Sequence, residues 1–201
     1  LEATDDPNLA LALAEAQDAM GDWRGALALY AKLANDADAN VRARALESLG
    51  DSYSRRGMAE QAVEAYVEAA ATRGQAAILG SARYRAVYGA VDALVAGHVS
   101  QAWQAFESVT AGDQTVTREA ALEMLSTASE RLGRALSLCD DALPPADLAK
   151  EHRQRQLYYS LLREALTAAL TYVDTGRADM LTLARERMKD AAEEQAELTK
   201  Q

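Results

Sequence analysis

The sequence predicts an all-α protein: an array of antiparallel helix pairs followed by three longer packed helices. Three observations carry this. Apolar residues recur at helical spacing through almost the whole chain; only three prolines and eleven glycines interrupt 201 residues; and the alanine- and leucine-rich stretches contain few of the β-branched runs that strands favour. With 49% hydrophobic residues the chain has enough apolar side chains for a substantial core.

Residues 1–7, LEATDDP, read as a disordered lead-in, with Asp5-Asp6-Pro7 suited to the start of a helix. They lack an initiator Met, as after a removed signal peptide, a lipid anchor and linker, an upstream domain or a cloning scar. The compartment is therefore undetermined, cytoplasmic or extracytoplasmic. Residues 8–113 are assigned to helical repeats and 114–201 to C-terminal helices packed on them, in one continuous domain. The first helix places Leu9, Leu13, Ala16 and Met20 on one side. Gly21-Asp22 turns the chain into a second helix carrying Ala26, Leu27, Tyr30, Leu33 and Ala34.

The best-defined pair spans ALESLGDSYSRRGMAEQAVEAYVEAAA, residues 45–71. Leu46, Leu49, Gly50 and Tyr53 fall on one helical face. Arg55 and Arg56 suit the negative end of the helix dipole, and Gly57 suits a left-handed turn, so Gly57 is expected at positive φ. Ala62, Val63, Tyr66 and Ala69 then form the next face, with Ala62 small enough to let the helices approach beside Gly50.

Leu49-Gly50, Tyr53, Gly57, Ala62, Tyr66 and Ala69 resemble the tetratricopeptide repeat, in which a Leu-Gly and a Tyr on one helix face an Ala, an aromatic and an Ala on the next. GDWRGALALYAKLA matches the second half of the same repeat through Ala26 and Tyr30, although Ala14 and Gln17 replace the glycine and tyrosine of the first half. A third, degenerate copy ends in AGHVSQAWQAFESV, with Gly97, Ala102, Phe106 and Val109 at the turn and second-helix positions. The repeat lengthens from 36 residues between Gly21 and Gly57 to 40 between Gly57 and Gly97. About three units over residues 8–109 follow.

The resemblance implies a right-handed α-solenoid that binds a protein or peptide partner on the concave surface lined by first helices. Carried over by offset, the partner-binding residues are Leu11 and Glu15 in the first unit, Arg44, Glu47, Asp51 and Arg55 in the second, and Tyr84, Tyr88 and Val91 in the third. The cationic clamp with which one subgroup holds a C-terminal carboxylate is missing, since Leu11, Glu15, Ser48, Tyr84 and Tyr88 stand at its positions. In the third unit Ala86, Gly89, Ala90 and Ala93 should form a tight seam. Tyr84, Val87, Tyr88, Val91 and Val95 form a large apolar stripe. Burial by the long helices after Pro145, which carry Leu161, Leu162, Leu166 and Leu170, is the expected cover; a partner is the alternative.

Beyond Gly112 the repeat is lost and the helical period continues. A helix over about 116–139 carries Leu122, Leu125, Ala128, Leu132, Ala135 and Leu136, and ends before Pro144-Pro145. A second runs over about 146–174 and ends at Thr175-Gly176. The third, from about 177, has Leu181, Ala184, Met188, Ala191 and Leu198 near heptad spacing.

Several classes of function are disfavoured. A net charge of −10 and a pI near 4.7 oppose nucleic acid or an anionic membrane as the main partner. No apolar run is long enough for membrane insertion. The lone Cys139 can form no internal disulfide, and Asp140-Asp141 disfavours its thiolate. His98 and His152 lack neighbours at metal-ligand spacing and read as a loop and a structural histidine. No phosphate-binding, nucleophile or metalloprotease motif occurs. SRR and EHRQRQ read as solvated faces. The sequence therefore predicts no catalytic or metal-binding residue, no cofactor and no enzyme, and favours a non-catalytic interaction scaffold. The alternatives are a subunit that self-assembles through its C-terminal helix and a sensory or regulatory fragment of a longer protein.

Overall fold

A computed structural model of the chain describes residues 6–113 and 115–200. These residues are all-helical, with eight α-helices and no strands: α1 (Pro7–Ala19), α2 (Trp23–Leu33), α3 (Ala39–Ser54), α4 (Ala59–Thr72), α5 (Ser81–Thr110), α6 (Arg118–Asp141), α7 (Ala149–Thr175) and α8 (Ala178–Leu198). Apart from Asp6 and Pro7, the expected lead-in lies outside the described residues. Asp6 caps α1 by accepting the Asn8 amide at 2.9 Å, and Pro7 opens the helix where its missing N–H costs nothing.

Packing divides the chain into two compact units, one made of Leu1–Ala90 and Asp141–Pro145, the other of Val91–Asp140 and Ala146–Gln201. The division falls inside α5, whereas the sequence places a boundary at 113/114.

In the first unit α1 packs on α2, α3 on α4, α2 on α3, and α1 on α3. Its turns follow local chemistry. Gly21 (φ 90°) and Gly57 (φ 71°) hold the left-handed conformation that returns each second helix against its first, as expected for Gly57. Asp22 caps α2 by accepting the Gly25 amide, and Asp38 caps α3 by accepting the Asn40 amide. Leu11, Ala14, Ala26, Tyr30, Leu33, Val41 and Ala45 form one buried cluster.

The buried face of α1 differs from the expected one. Leu11, Ala14 and Asp18 point inward, whereas Leu9, Leu13, Ala16 and Met20 are exposed. Both sets repeat at helical spacing on this helix, so periodicity alone chooses neither.

Gly50 packs against a different residue from the one its sequence suggests. A Cβ at this position would lie 2.5 Å from Cε1 of Tyr66, so the missing side chain accommodates the tyrosine ring rather than Ala62.

The third expected helix pair does not form. α5 runs unbroken through Gly97, which is helical and has open space where a Cβ would stand. The expected seam is absent too: Ala86, Gly89 and Ala93 are exposed. The reason lies in the phase of the apolar stripe. Tyr84, Val87, Tyr88, Val91, Val95, Val99, Ala102 and Phe106 continue at steps of three and four across Gly97, all buried. At Gly57 the first-helix face stops at Tyr53 and a new one starts at Ala59. One helical glycine costs only ~1 kcal/mol relative to alanine, too little to break a continuous face.

The loop before α5 is held by a short parallel bridge to the segment after α6. The Leu143 amide donates to the Ala77 carbonyl at 2.8 Å and the Leu79 amide to the Leu143 carbonyl at 3.0 Å. In the second unit α7 packs along α8. Gly176 (φ 73°) ends α7 as the sequence predicts. Ala184 and Ala191 of α8 are buried while Leu181, Met188 and Leu198 are half-buried, so the near-heptad seam is used within the chain. Among the described residues no helix is long and apolar enough to cross a membrane.

α4 begins without a side-chain cap, because Met58 stands at its N-cap. Met58→Asp supplies a side-chain acceptor at the N-cap and is expected to stabilise the fold by about 1 kcal/mol. The measurement is urea unfolding, with a raised midpoint at unchanged slope expected; an unchanged midpoint counts against the missing cap.

Candidate functional site

The exposed side of α3 carries the charged residues that the sequence singled out, and each is held by a neighbour. Arg44 donates to Asn8 Oδ1 at 3.2 Å. Glu47 pairs with Arg73. Asp51 accepts a two-pronged contact from Arg83 at 2.7 Å through both Nε and Nη2, and a 2.6 Å hydrogen bond from the Tyr66 hydroxyl. The Arg83 guanidinium also lies 5.1 Å from the centre of the Tyr66 ring. Arg55 and Arg56 both pair with Asp18, Arg56 at 2.6 Å.

Asp18 is the organising charge. Burial by itself would raise its carboxyl, but hydrogen bonds from Arg56, Ser52 and Arg55 outweigh burial and hold it below the ordinary carboxylate value. Arg55 and Arg56, read from sequence as a solvated face, are therefore tied across to α1. Asp18 itself carried no sequence assignment. Its signal was the stripe Leu11, Ala14, Asp18 at steps of three and four, which puts a carboxylate on a buried face.

These elements leave a cleft of about 450 Å³ lined by Glu15, Asp18, Ala19, Tyr30, Ser48, Asp51 and Arg55. Glu15, Asp51 and Arg55 are brought together there, and Glu15 lies 3.4 Å from the Ser48 hydroxyl. Three carboxylates face one guanidinium. Burial, reinforced by Asp18 and Glu15, pushes the Tyr30 phenol up to about 12, so it stays a neutral donor. Glu47 lies instead on a smaller cavity of about 110 Å³, which it shares with Tyr66, Arg73, Arg83 and the loop residues 75–79. The chain's own loop after α4 thus lines this part of the surface.

Four of the predicted partner-binding residues are placed inside the fold. Leu11, Tyr84 and Tyr88 are fully buried and Val91 is 2% exposed, so none offers a surface to a partner. Leu11 belongs to the core of the first two helix pairs. The Tyr88 hydroxyl donates to the Ala142 carbonyl at 3.1 Å. The large apolar stripe is core, with Val87 and Val95 buried beside these residues.

The second unit holds a polar cluster that the sequence did not reveal. Arg155, within EHRQRQ, is 6% exposed rather than solvated. Its guanidinium contacts Asp92 at 3.1 Å and Glu151 at 3.1 Å, and Asp92 also accepts a 2.5 Å hydrogen bond from the Tyr159 hydroxyl. Burial, Asp92 and this hydrogen bond together push the Tyr159 phenol far above its ordinary range. The sequence clue was Asp92 itself, a carboxylate directly after Val91 in the stripe.

His152 is buried one turn before Gln156. Burial first, then the charge of Arg155, lowers its imidazole, while Asp140 and a backbone hydrogen bond at Cys139 act weakly the other way. The unfolded chain therefore takes up a proton near pH 6.5 before the folded chain does. Stability is full above that value and falls as pH drops through the window below it, by at most about 1.4 kcal/mol per pH unit. Urea unfolding between pH 7.5 and 5.5 should show this slope in the wild type and a shallower one in His152→Leu; equal slopes count against it. Among the described residues no group of three His, Cys, Asp or Glu side chains is placed to hold a metal ion.

Comparison of the chain with family models, curated proteins and solved structures finds no match.

Proposed function

We propose that the chain is a non-catalytic, tetratricopeptide-like scaffold whose first two helix pairs bind a polypeptide. The observation that carries this reading is the cleft over α3: residues at the repeat's groove positions, Glu15, Asp51 and Arg55, converge with Ser48, Asp18 and Tyr30 around about 450 Å³ of open space. The stacking of α1–α2 on α3–α4, with the first helices in contact, agrees with it. Only these two pairs count as repeats, since α5 does not turn back.

The cleft also suggests what enters it. Exposed Glu15, with the partly exposed Asp51 beside it, attracts a cationic segment, so the partner presents Lys or Arg side chains, with Ser48 available for hydrogen bonding. The contacts are largely charged and partly exposed, so binding weakens with salt. The scaffold uses no cofactor or metal, and the buried apolar stripe contributes rigidity rather than contact area.

Selection of a displayed random peptide library on the intact chain tests this. The expected result is enrichment of basic peptides whose affinity falls with added salt and falls about tenfold or more in Glu15→Lys, an exposed position whose replacement leaves the core untouched. Failure to enrich any basic sequence, or binding indifferent to Glu15→Lys, overturns the assignment.

A further inference from the structure

Arg55 and Asp18 also border a second cleft, on the side of the helix turns. It encloses about 550 Å³ and is lined by Asp18, Trp23, Arg55, Arg56 and Met58. Every one of these residues stands at a helix end: Asp18 near the end of α1, Trp23 opening α2, Arg55 and Arg56 closing α3, Met58 before α4. Two stacked turns, each built on a left-handed glycine, bring them together.

The chemistry here is opposite to that of the first cleft. Trp23 is 39% exposed, and two guanidinium groups lie against its ring, Arg56 at 5.4 Å and Arg24 at 5.2 Å from the centre. The Asp18 carboxylate is 1% exposed and sits beneath the arginines, whereas the Arg55 side chain is 58% exposed. The solvent side therefore presents cations and an aromatic face, with the anion hidden behind them. Met58, 36% exposed, adds an adaptable apolar wall. In a protein with a net charge of −10, such a cationic and aromatic surface stands out.

We propose that this turn-side cleft docks an acidic polypeptide segment, with carboxylates on Arg55 and Arg56 and an aliphatic side chain against Trp23 and Met58. Charge complementarity chooses the occupant: two arginines line the cleft, Arg56 against the indole and Arg55 exposed beside it, and the carboxylate that partly balances them cannot be reached from solvent. The aromatic and thioether walls demand an apolar residue among the acids.

The test uses fluorescence anisotropy on the whole chain with labelled Glu-Glu-Leu-Glu-Glu-Leu-Glu-Glu and two counterparts in which every Glu is Ser or Lys. The acidic peptide is expected to bind, and the other two to bind at least about tenfold more weakly. Met58→Asp puts a carboxylate into the cleft without removing any existing ion pair and should weaken binding about tenfold; Trp23→Ser should also weaken it. Leu13→Ser, on an exposed face outside the cleft, should change nothing. Glu15→Lys disables the first cleft and should leave acidic-peptide binding at least as tight, which separates this proposal from the basic-peptide reading. Equal binding of the three peptides, indifference to both Met58→Asp and Trp23→Ser, or an oligothymidylate that binds where the acidic peptide does not, each overturns the proposal.

Discussion

Gly50→Leu is expected to cost about 3 kcal/mol, the upper part of the range for overpacking a filled core. A Cβ alone would meet Tyr66 Cε1 at 2.5 Å and Cδ1 at 2.7 Å, distances no side chain tolerates without movement. The ring is not free to swing aside. Its hydroxyl is held by Asp51, its face lies beneath Arg83, and the residue is 4% exposed between α3 and α4. Either the helices separate or the Asp51–Tyr66–Arg83 cluster comes apart, and both change the wall of the proposed binding cleft. Urea unfolding should show the loss as a lowered midpoint, and Gly50→Ala should show a smaller one. A Gly50→Leu protein as stable as the wild type would mean that α3 and α4 do not approach as closely as described.

Arg155→Leu is expected to cost a similar amount, about 3 kcal/mol, for an electrostatic reason. The side chain is almost wholly buried, and its removal takes the shared guanidinium from both Asp92 and Glu151, leaving Asp92 the hydrogen bond from the Tyr159 hydroxyl. The figure sits at the low end for breaking a buried pair because the Asp92 side chain is 33% exposed and can recruit water. Adding Asp92→Leu to Arg155→Leu removes the orphaned charge and should recover part of the loss, so the two substitutions are non-additive. If Arg155→Leu alone lies within about 0.5 kcal/mol of the wild type, the cluster contributes nothing beyond its surface.

The two substitutions probe features of very different legibility. Gly50 was visible in the sequence as the small residue of a Leu-Gly pair, because a glycine within a good helix signals close approach even when its neighbour is misidentified. Arg155 was not. A run of charged residues on a helix reads as solvated whether or not one of them points inward, and the carboxylates that meet Arg155 lie four residues away on its own helix and 63 residues away on α5. The same holds for Asp18, whose partners stand 37 and 38 residues later.

What the sequence by itself determined is local. Helix starts at Asp6-Pro7 and Asp22, ends at Gly21, Gly57 and Gly176, and the all-helical class follow from capping groups, left-handed glycines and apolar period, all of which act within a few residues. Tertiary structure decided three further things. It chose Leu11, Ala14 and Asp18 over Leu9, Leu13 and Met20 as the inner face of α1, because two apolar stripes compete on this helix and neither is preferred until a neighbour supplies a surface. It carried α5 straight through Gly97, because a continuous buried stripe outweighs the small propensity cost of one glycine. And it converted predicted groove charges into fixed ion pairs, because whether a charge is free depends on the other helices that reach it, and that is a property of packing rather than of spacing.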